Sequence, residues 1–408
     1  MRETAAEEKY GKLREQILTY LDDAYEVSDE ELLEMIRRTA MQDADSRMCS
    51  ISEREQMELE LFHSFRGLDI LQDLLDDPEV TEILVNGPKH IFYEKHGSLY
   101  PWEKTFISEE RLNTMIQNIV GRANRSVNAS EPIVDTRLPD GSRVNVVLAP
   151  VSVTGPCLSI RKFPKQPLSM ENLVSMGALS EEIADFLKTM VKSGYNIFVS
   201  GGTGSGKTTF LNALSRFIPQ DQRVITIEDS AELQMRSVQN LVRLETRQGN
   251  NNGAHEISIR DLIRTSLRMR PDRIIVGEVR GAEALDMLQA INTGHNGSMS
   301  TGHANSIPDM LSRLETMVLM GMDLPLAAIR GQIAHGLDLF VHLGRLRDHS
   351  RKVLDIREVY GLKEGGIVLN ALFTFHETEE KDGIIKGTWE KTGTLQNTEK
   401  LKNQGLIL

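Results

Sequence analysis

Residues Gly201-Gly202-Thr203-Gly204-Ser205-Gly206-Lys207-Thr208 satisfy the pattern G-x-x-x-x-G-K-[ST] in full. They lie between an apolar run, Tyr195 to Ser200, and a helical pattern that starts near Lys207. Strand, glycine-rich loop and helix in that order form a phosphate-binding unit, which in turn demands a helix-covered sheet around it. The glycines let successive backbone amides turn inward around phosphate oxygens, and Lys207 is long enough to reach β- and γ-phosphates. The Thr208 hydroxyl is placed to ligate Mg²⁺, and Thr209 continues the same first helical turn. Gly201 through Thr209 are therefore the candidate binding residues for a nucleoside triphosphate and its Mg²⁺.

The rest of the chain must supply more than one core, since 408 residues exceed what one hydrophobic core usually organises. A net charge of −12, from 59 acidic and 47 basic residues, provides no global positive field for a polyanion, so nucleic acid is not expected as the primary ligand. Two cysteines, Cys49 and Cys157, cannot build a zinc site without other ligands, and a reducing cytoplasm is the expected compartment. No apolar stretch approaches the ~20 residues that span a bilayer, and the first residues lack a signal-peptide core. Membrane contact is expected only through a partner.

Four segments are expected. Residues 1–65 are highly charged with helical spacing, as in Leu32, Leu33 and Ile36 after a capping box at Ser28-Asp29-Glu30-Glu31, and read as a helical extension. Residues 66–168 alternate β-like runs (Glu82 to Asn86, His90 to Glu94, Arg143 to Leu148, Cys157 to Arg161) with a helical pattern near Glu109 to Arg122, an α+β domain. Pro164 and Pro167 mark a linker ending near Ser169. Residues 169–378 alternate helices with the apolar runs Ile197 to Ser200, Val224 to Ile227, Arg273 to Val276 and Ser298 to Thr301, then a last set from Leu339 to Phe375, which implies a parallel sheet. Residues 379–408 are polar without periodicity and are expected to be loosely ordered.

A phosphate loop names a ligand, and the activity depends on what surrounds it. Two apolar strands end in acids, Val224-Ile225-Thr226-Ile227-Glu228-Asp229 and Ile274-Ile275-Val276-Gly277-Glu278, at the strand ends where open α/β sheets bind ligands. Glu228 is the candidate to polarise a water for in-line attack, and Glu278 the candidate to hold the hydration shell of Mg²⁺. His295 and His303 bracket a small-residue strand, where a histidine can donate to a γ-phosphate. Phosphoryl transfer also needs positive charge at the γ-phosphate. Arg243, Arg247, Arg268, Arg270 and Arg280 surround the two acidic strands in sequence, while Arg143 and Arg161 lie on candidate strands of the preceding domain and can serve as arginine fingers.

GGTGSGKTT, ITIEDSAEL, RIIVGEVRG and TGHNGSMSTGHANS, in this order, resemble the type II/IV secretion ATPase superfamily. The segments DDPEVTEILVNGPKHIFYEKHG and DTRLPDGSRVNVVLAP are similar to its tight-adherence and Flp-pilus branch, the CpaF/TadA-like ATPases. The resemblance spans roughly residues 66–360. Gly277-Glu278 replaces the Asp-Glu with which many other P-loop ATPases end this strand, as in secretion ATPases. The resemblance implies an α/β fold: a RecA-like P-loop domain preceded by an α+β, PAS-like N-terminal domain and the helical extension. It further implies a homo-hexamer binding ATP between the two domains, which rock against each other on hydrolysis. By position, Lys207 and Thr208 would be the Walker A ligands, Glu228 the Asp-box glutamate, Glu278 the Walker B acid, His295 and His303 the His box, and Arg143 and Arg161 the N-terminal arginines at the γ-phosphate. The implied partner is an inner-membrane platform protein that adds pilins or moves secreted proteins, with the motor on the cytoplasmic face. The absent tetracysteine zinc module favours the Flp or conjugation-type branches. Two other readings stay open: a nucleic-acid translocase on the same core, which would need a basic channel and stacking aromatics, and a nucleotide-sensing scaffold without turnover.

Overall fold

The computed structural model describes residues 2–22, 27–43, 49–163, 167–247 and 255–406. Pro164 of the expected linker lies outside them. The chain divides into two compact units, residues 1–165 and 166–408.

The first unit opens with helices Arg2–Asp22, Asp29–Gln42 and Ile51–Arg66. Leu13, Ile17, Leu32, Ile36 and Leu61 converge in a small core of their own. Two of these helices begin with reciprocal capping boxes, Ser28 with Glu31 and Ser50 with Glu53, which satisfy amides the helix cannot. An antiparallel sheet follows, built from β1 Val80–Asn86, β2 Ile91–Lys95, β3 Ser98–Pro101, β4 Ile133–Arg137, β5 Arg143–Val147 and β6 Cys157–Arg161. Its strand order is β3-β2-β1-β6-β5-β4. Alternation sends Val144, Val146, Leu158 and Ile160 into the core with the helix Glu109–Arg122, and leaves Arg143, Asn145, Ser159 and Arg161 on the other face. Register places Arg161 opposite both Arg143 and Glu82, so charged residues line up across three strands.

The second unit is one nine-stranded sheet: β7 Ile197–Gly201, β8 Arg223–Glu228, β9 Asn240–Glu245, β10 Arg273–Val276, β11 Met299–His303, β12 Leu339–Arg345, β13 Arg351–Lys363, β14 Gly366–Lys381 and β15 Ile384–Lys391. They run in the order β15-β14-β13-β12-β7-β11-β10-β8-β9. The strands from β12 to β9 in that order are parallel. All but the edge strand β9 are buried on both faces, and alternate residues feed two cores: Ile197, Val199 and Ile275 one, Phe198, Ile274 and Val276 the other.

The parallel sheet expected from sequence is found from β12 to β9 and is corrected beyond β12, where β13, β14 and β15 add antiparallel. The loosely ordered tail from 379 is corrected as well. β14 runs on to Lys381, β15 pairs with it, and a short helix spans Glu399–Asn403. Its polar composition hid this, because β14 and β15 are half-exposed and their order comes from tethers. Trp389 Nε1 donates to the Val353 carbonyl (2.7 Å), and the amides of Gln396 and Asn397 donate to the buried Glu358. Strands β3, β4 and β9 were also unmarked in the sequence. Among the described residues no single helix is long and apolar enough to cross a membrane.

Candidate active site

The parallel strands bring their carboxyl ends to one edge, and this is what assembles the site. Gly201, the last residue of β7, pairs with His303 at the end of β11 and with Leu343 of β12. Beyond β10, the Gly277 amide donates to Ile227 O (2.8 Å) and the Val279 amide to Thr301 O (2.8 Å). That extension holds Glu278 between the ends of β8 and β11, so residues more than a hundred positions apart meet along one sheet edge.

The loop itself fits a phosphate chain. A side chain at Gly201 would overlap the Leu343 carbonyl, while Gly204 (φ +69°) and Gly206 (φ +91°) adopt the left-handed backbone that other residues rarely take. The helix Lys207–Ser215 starts at left-handed Gly206 with no side-chain cap. An uncapped N-terminus at a glycine-rich loop leaves its orphan amides for anionic oxygens. Lys207 is buried, and its Nζ donates to the carbonyls of Gly201 (3.1 Å) and Gly202 (2.9 Å).

Lys207 Nζ also lies 3.3 Å from His303 Nδ1. An ammonium can only donate, so Nδ1 carries the lone pair and Nε2 the proton. His303 Nε2 in turn sits 2.7 Å from Glu278 Oε1. Burial, followed by the Lys207 charge, holds the imidazole below its ordinary pKa, consistent with a neutral ring. Arg280 Nη2 donates to Glu278 Oε2 (2.5 Å), and Arg280 Nη1 lies 3.6 Å from Asp229. Cation, imidazole, carboxylate and guanidinium thus form one connected row at the loop.

Glu228 stands apart in its environment. It is buried, and its Oε2 accepts from the amides of Glu232 (2.7 Å) and Leu233 (2.9 Å). Its Oε1 is buried with no hydrogen-bond partner among the described residues. Burial pushes the carboxyl up to about 7 against the two amides, which favour the ionised form. A fixed carboxylate with one unspent acceptor and a pKa near neutrality is suited to take a proton from water. Gly277 is what makes room for it: a Cβ there would stand 2.8 Å from Glu228 Cγ. The Gly-Glu ending of β10 therefore has a steric cause, and an aspartate at 277 would displace Glu228. Gly277→Ala is expected to lower kcat by roughly 10–10² through that misplacement; steady-state turnover checks it, and an unchanged kcat would show the contact yields freely.

Not every residue singled out in the sequence joins this cluster. His295 precedes the amino end of β11, and its Nδ1–H donates to Ala290 O (2.8 Å) at the end of the helix Glu283–Asn292. At ~3.3 Å per residue, the strand alone separates the two ends by roughly 13 Å. The expectation that His295 acts at the same γ-phosphate is thus corrected within a subunit. Arg268 and Arg270 likewise precede β10 at its amino end, away from the acids. Arg243 donates to Ala231 O beside the Glu228 loop, Arg247 to His255 O, and Arg280 pairs directly with acids of the site while the Arg243 charge acts on Glu228. Arg143 and Arg161 belong to the first unit, side by side, with Arg161 3.8 Å from Glu82.

Two residues that sequence reading missed lie against the loop. Arg351 Nε donates to Gly204 O (2.8 Å), and its cross-strand partner Arg345 places Nη1 3.9 Å from where a Cβ of Gly204 would be. Only the adjacency of β12 and β7 could have revealed them, and spacing does not encode it.

Comparison with known proteins agrees with this geometry. Residues 65–398 match the family model described as type II/IV secretion system protein. A putative conjugal transfer protein of Mycobacterium tuberculosis is 35% identical over 296 residues, 71% of this chain and 84% of that protein. The type IV secretion system protein PtlH of Bordetella pertussis is 32% identical over 315 residues, 71% of this chain and 93% of PtlH. Among solved structures, the pilus retraction motor PilT with bound ADP (TM-score 0.51, 21% identity, 74% of this chain and 81% of that one) shares the fold. So does the Legionella pneumophila ATPase DotB (TM-score 0.51, 21% identity, 72% and 81%). A match of this extent, on a chain whose phosphate loop, two acids and histidine meet at one sheet edge, shows that the protein belongs to the type II/IV secretion system protein family, a family of P-loop ATPases.

Proposed function

We propose that the protein is a cytoplasmic hexameric motor that hydrolyses ATP to power assembly of a Flp-type pilus, or secretion, through an inner-membrane platform protein. The observation that carries the ATPase half is the convergence of Lys207, Glu228, Glu278 and His303 on one loop. In this reading the loop amides and Lys207 bind the phosphates, and Thr208 and Glu278 hold Mg²⁺, Glu278 through water. The ion would neutralise charge on the β- and γ-phosphates. Glu228 Oε1 takes the proton of the attacking water, and neutral His303 donates from Nε2 toward the γ-phosphate when released from Glu278. Arg143 and Arg161 act as arginine fingers at the γ-phosphate of a neighbouring subunit in the ring. The Flp branch is supported by the DDPEVTEILVNGPKH and DTRLPDGSRVNVVLAP segments.

Arg161→Ala is expected to keep ATP binding and lose turnover by about 10³, the usual scale of a finger arginine. Lost binding with normal turnover per bound nucleotide would contradict that role. For the biological half, host cells carrying a Lys207→Ala allele should lose surface pili or a secreted protein, and intact filaments together with an unchanged secretome would overturn the proposal.

A conjugation-type transport ATPase is the second reading, because relatives named for conjugal transfer include the Mycobacterium tuberculosis protein and TrbB of Sinorhizobium fredii, 33% identical over 314 residues. Hydrolysis stimulated by single-stranded DNA would favour it over the pilus reading.

A further inference from the structure

The loop is flanked unequally. On its β11 side lie Glu228, Glu278 and His303, the groups that face reacting phosphate. On its β12 side lie Arg345 and Arg351, the last residue of β12 and the first of β13, paired directly across the strands. Arg351 grips the loop backbone through Gly204 O, and its Cδ stands 3.4 Å from where a Cβ of Gly206 would be. Arg345 Nη2 donates to His349 Nδ1 (2.9 Å), in the turn that joins the two strands.

That turn is anchored from behind. Asp348 accepts from the Ser350 amide (2.9 Å) and from the Ile385 amide of β15 (2.8 Å), and Arg347 is held by Glu377 and Glu380 of β14. Two guanidiniums are therefore presented to the loop by a braced hairpin. With the γ-phosphate machinery on one flank of the loop, a nucleotide threaded through it must leave by the other, carrying its α-phosphate and nucleoside toward this pair.

We propose that Arg345 and Arg351 form a nucleotide-retaining clamp on the nucleoside side of the phosphate loop. Arg351 is a positioning residue that fixes the loop through the Gly204 carbonyl, and Arg345 binds the α-phosphate. The clamp acts on what ATP and ADP share, so it sets residence of nucleotide rather than the rate of the chemical step. Planar guanidinium donors suit this task, since their fork matches phosphate oxygens two at a time. The inference rests on ATP binding at the loop.

The test measures ADP affinity by titration calorimetry and ATP hydrolysis by steady-state kinetics for the parent chain, Arg345→Gln, Arg351→Gln and Arg351→Lys. Both glutamine variants should raise Kd for ADP and KM for ATP together by about tenfold, the scale of a lost charge-assisted hydrogen bond, with kcat within about threefold. Arg351→Lys should recover part of the loss, because it keeps the charge without the planar donor. Should Arg351→Gln fail to fold, Arg345→Gln carries the same test, as it leaves the Arg351 bond to Gly204 O in place. Unchanged KM and Kd in folded variants would overturn the clamp, as would a fall in kcat alone. A parent chain that binds neither ADP nor ATP would instead overturn nucleotide binding itself, a distinct result.

Discussion

Glu228→Gln abolishes most turnover while leaving ATP bound: kcat is expected to fall by roughly 10²–10⁴, the range for losing a positioned general base. Glutamine keeps the size of the side chain and can still accept from the Glu232 and Leu233 amides, so the change removes basicity and little else. The pH profile separates this role from a packing role. With its carboxyl at about 7, Glu228 is protonated below that pH, so kcat/KM of the parent chain should decline as pH falls through about 7. In the variant that limb should vanish. Stability moves the opposite way. The folded-state pKa lies above the ordinary 4.5, so the folded chain binds this proton more tightly than the unfolded one, and the contribution is lost as pH rises from about 4.5 through about 7. Glu228→Gln should therefore be at least as stable as the parent at pH 8. Normal kcat, or a limb that persists near pH 7 in the variant, would remove Glu228 from the base role.

Lys207→Ala should eliminate measurable hydrolysis, at least about 10²-fold, by deleting the cation nearest the transferring phosphate. Both binding and turnover should suffer, since Lys207 Nζ also holds the Gly201 and Gly202 carbonyls that shape the loop. The fold should persist with Tm within a few degrees, roughly the shift of a 1 kcal/mol change in a domain of this size. His303 gives an internal check. Without the Lys207 ammonium, one of the influences that lower its pKa is gone, so the imidazole should titrate at higher pH in the variant, as NMR can follow. Hydrolysis at the parent rate would contradict the site assignment.

The parts of this site that sequence made legible are those encoded within one short segment. The loop spells out its own geometry, strands β7, β8 and β10 announce themselves as apolar runs leading to Gly201, Glu228 and Glu278, and β11 as a small-residue run ended by His303. Those runs are fully buried in the middle of the sheet, so composition tracks position. Legibility fails where order comes from long-range pairing. The end of β14 and most of β15 are polar and exposed, and are fixed by contacts such as Trp389 with Val353 and Asp348 with Ile385. Proximity in sequence also misled. His295 and His303 flank the same strand, which puts them at opposite ends of it, and Arg268 and Arg270 precede β10 while Glu278 follows it. Arg345 and Arg351 meet the loop only because β12 lies beside β7. The reason for Gly277 is likewise invisible until Glu228 is seen packed against it.

The most direct measurement is Mg²⁺-dependent ATP hydrolysis per subunit over a wide range of protein concentration, without DNA or membrane. A ring whose sites are completed by arginines of a neighbouring subunit should show a specific rate that climbs steeply with concentration and then saturates. A specific rate that is robust and independent of concentration would contradict it, placing every group needed for turnover within a single chain.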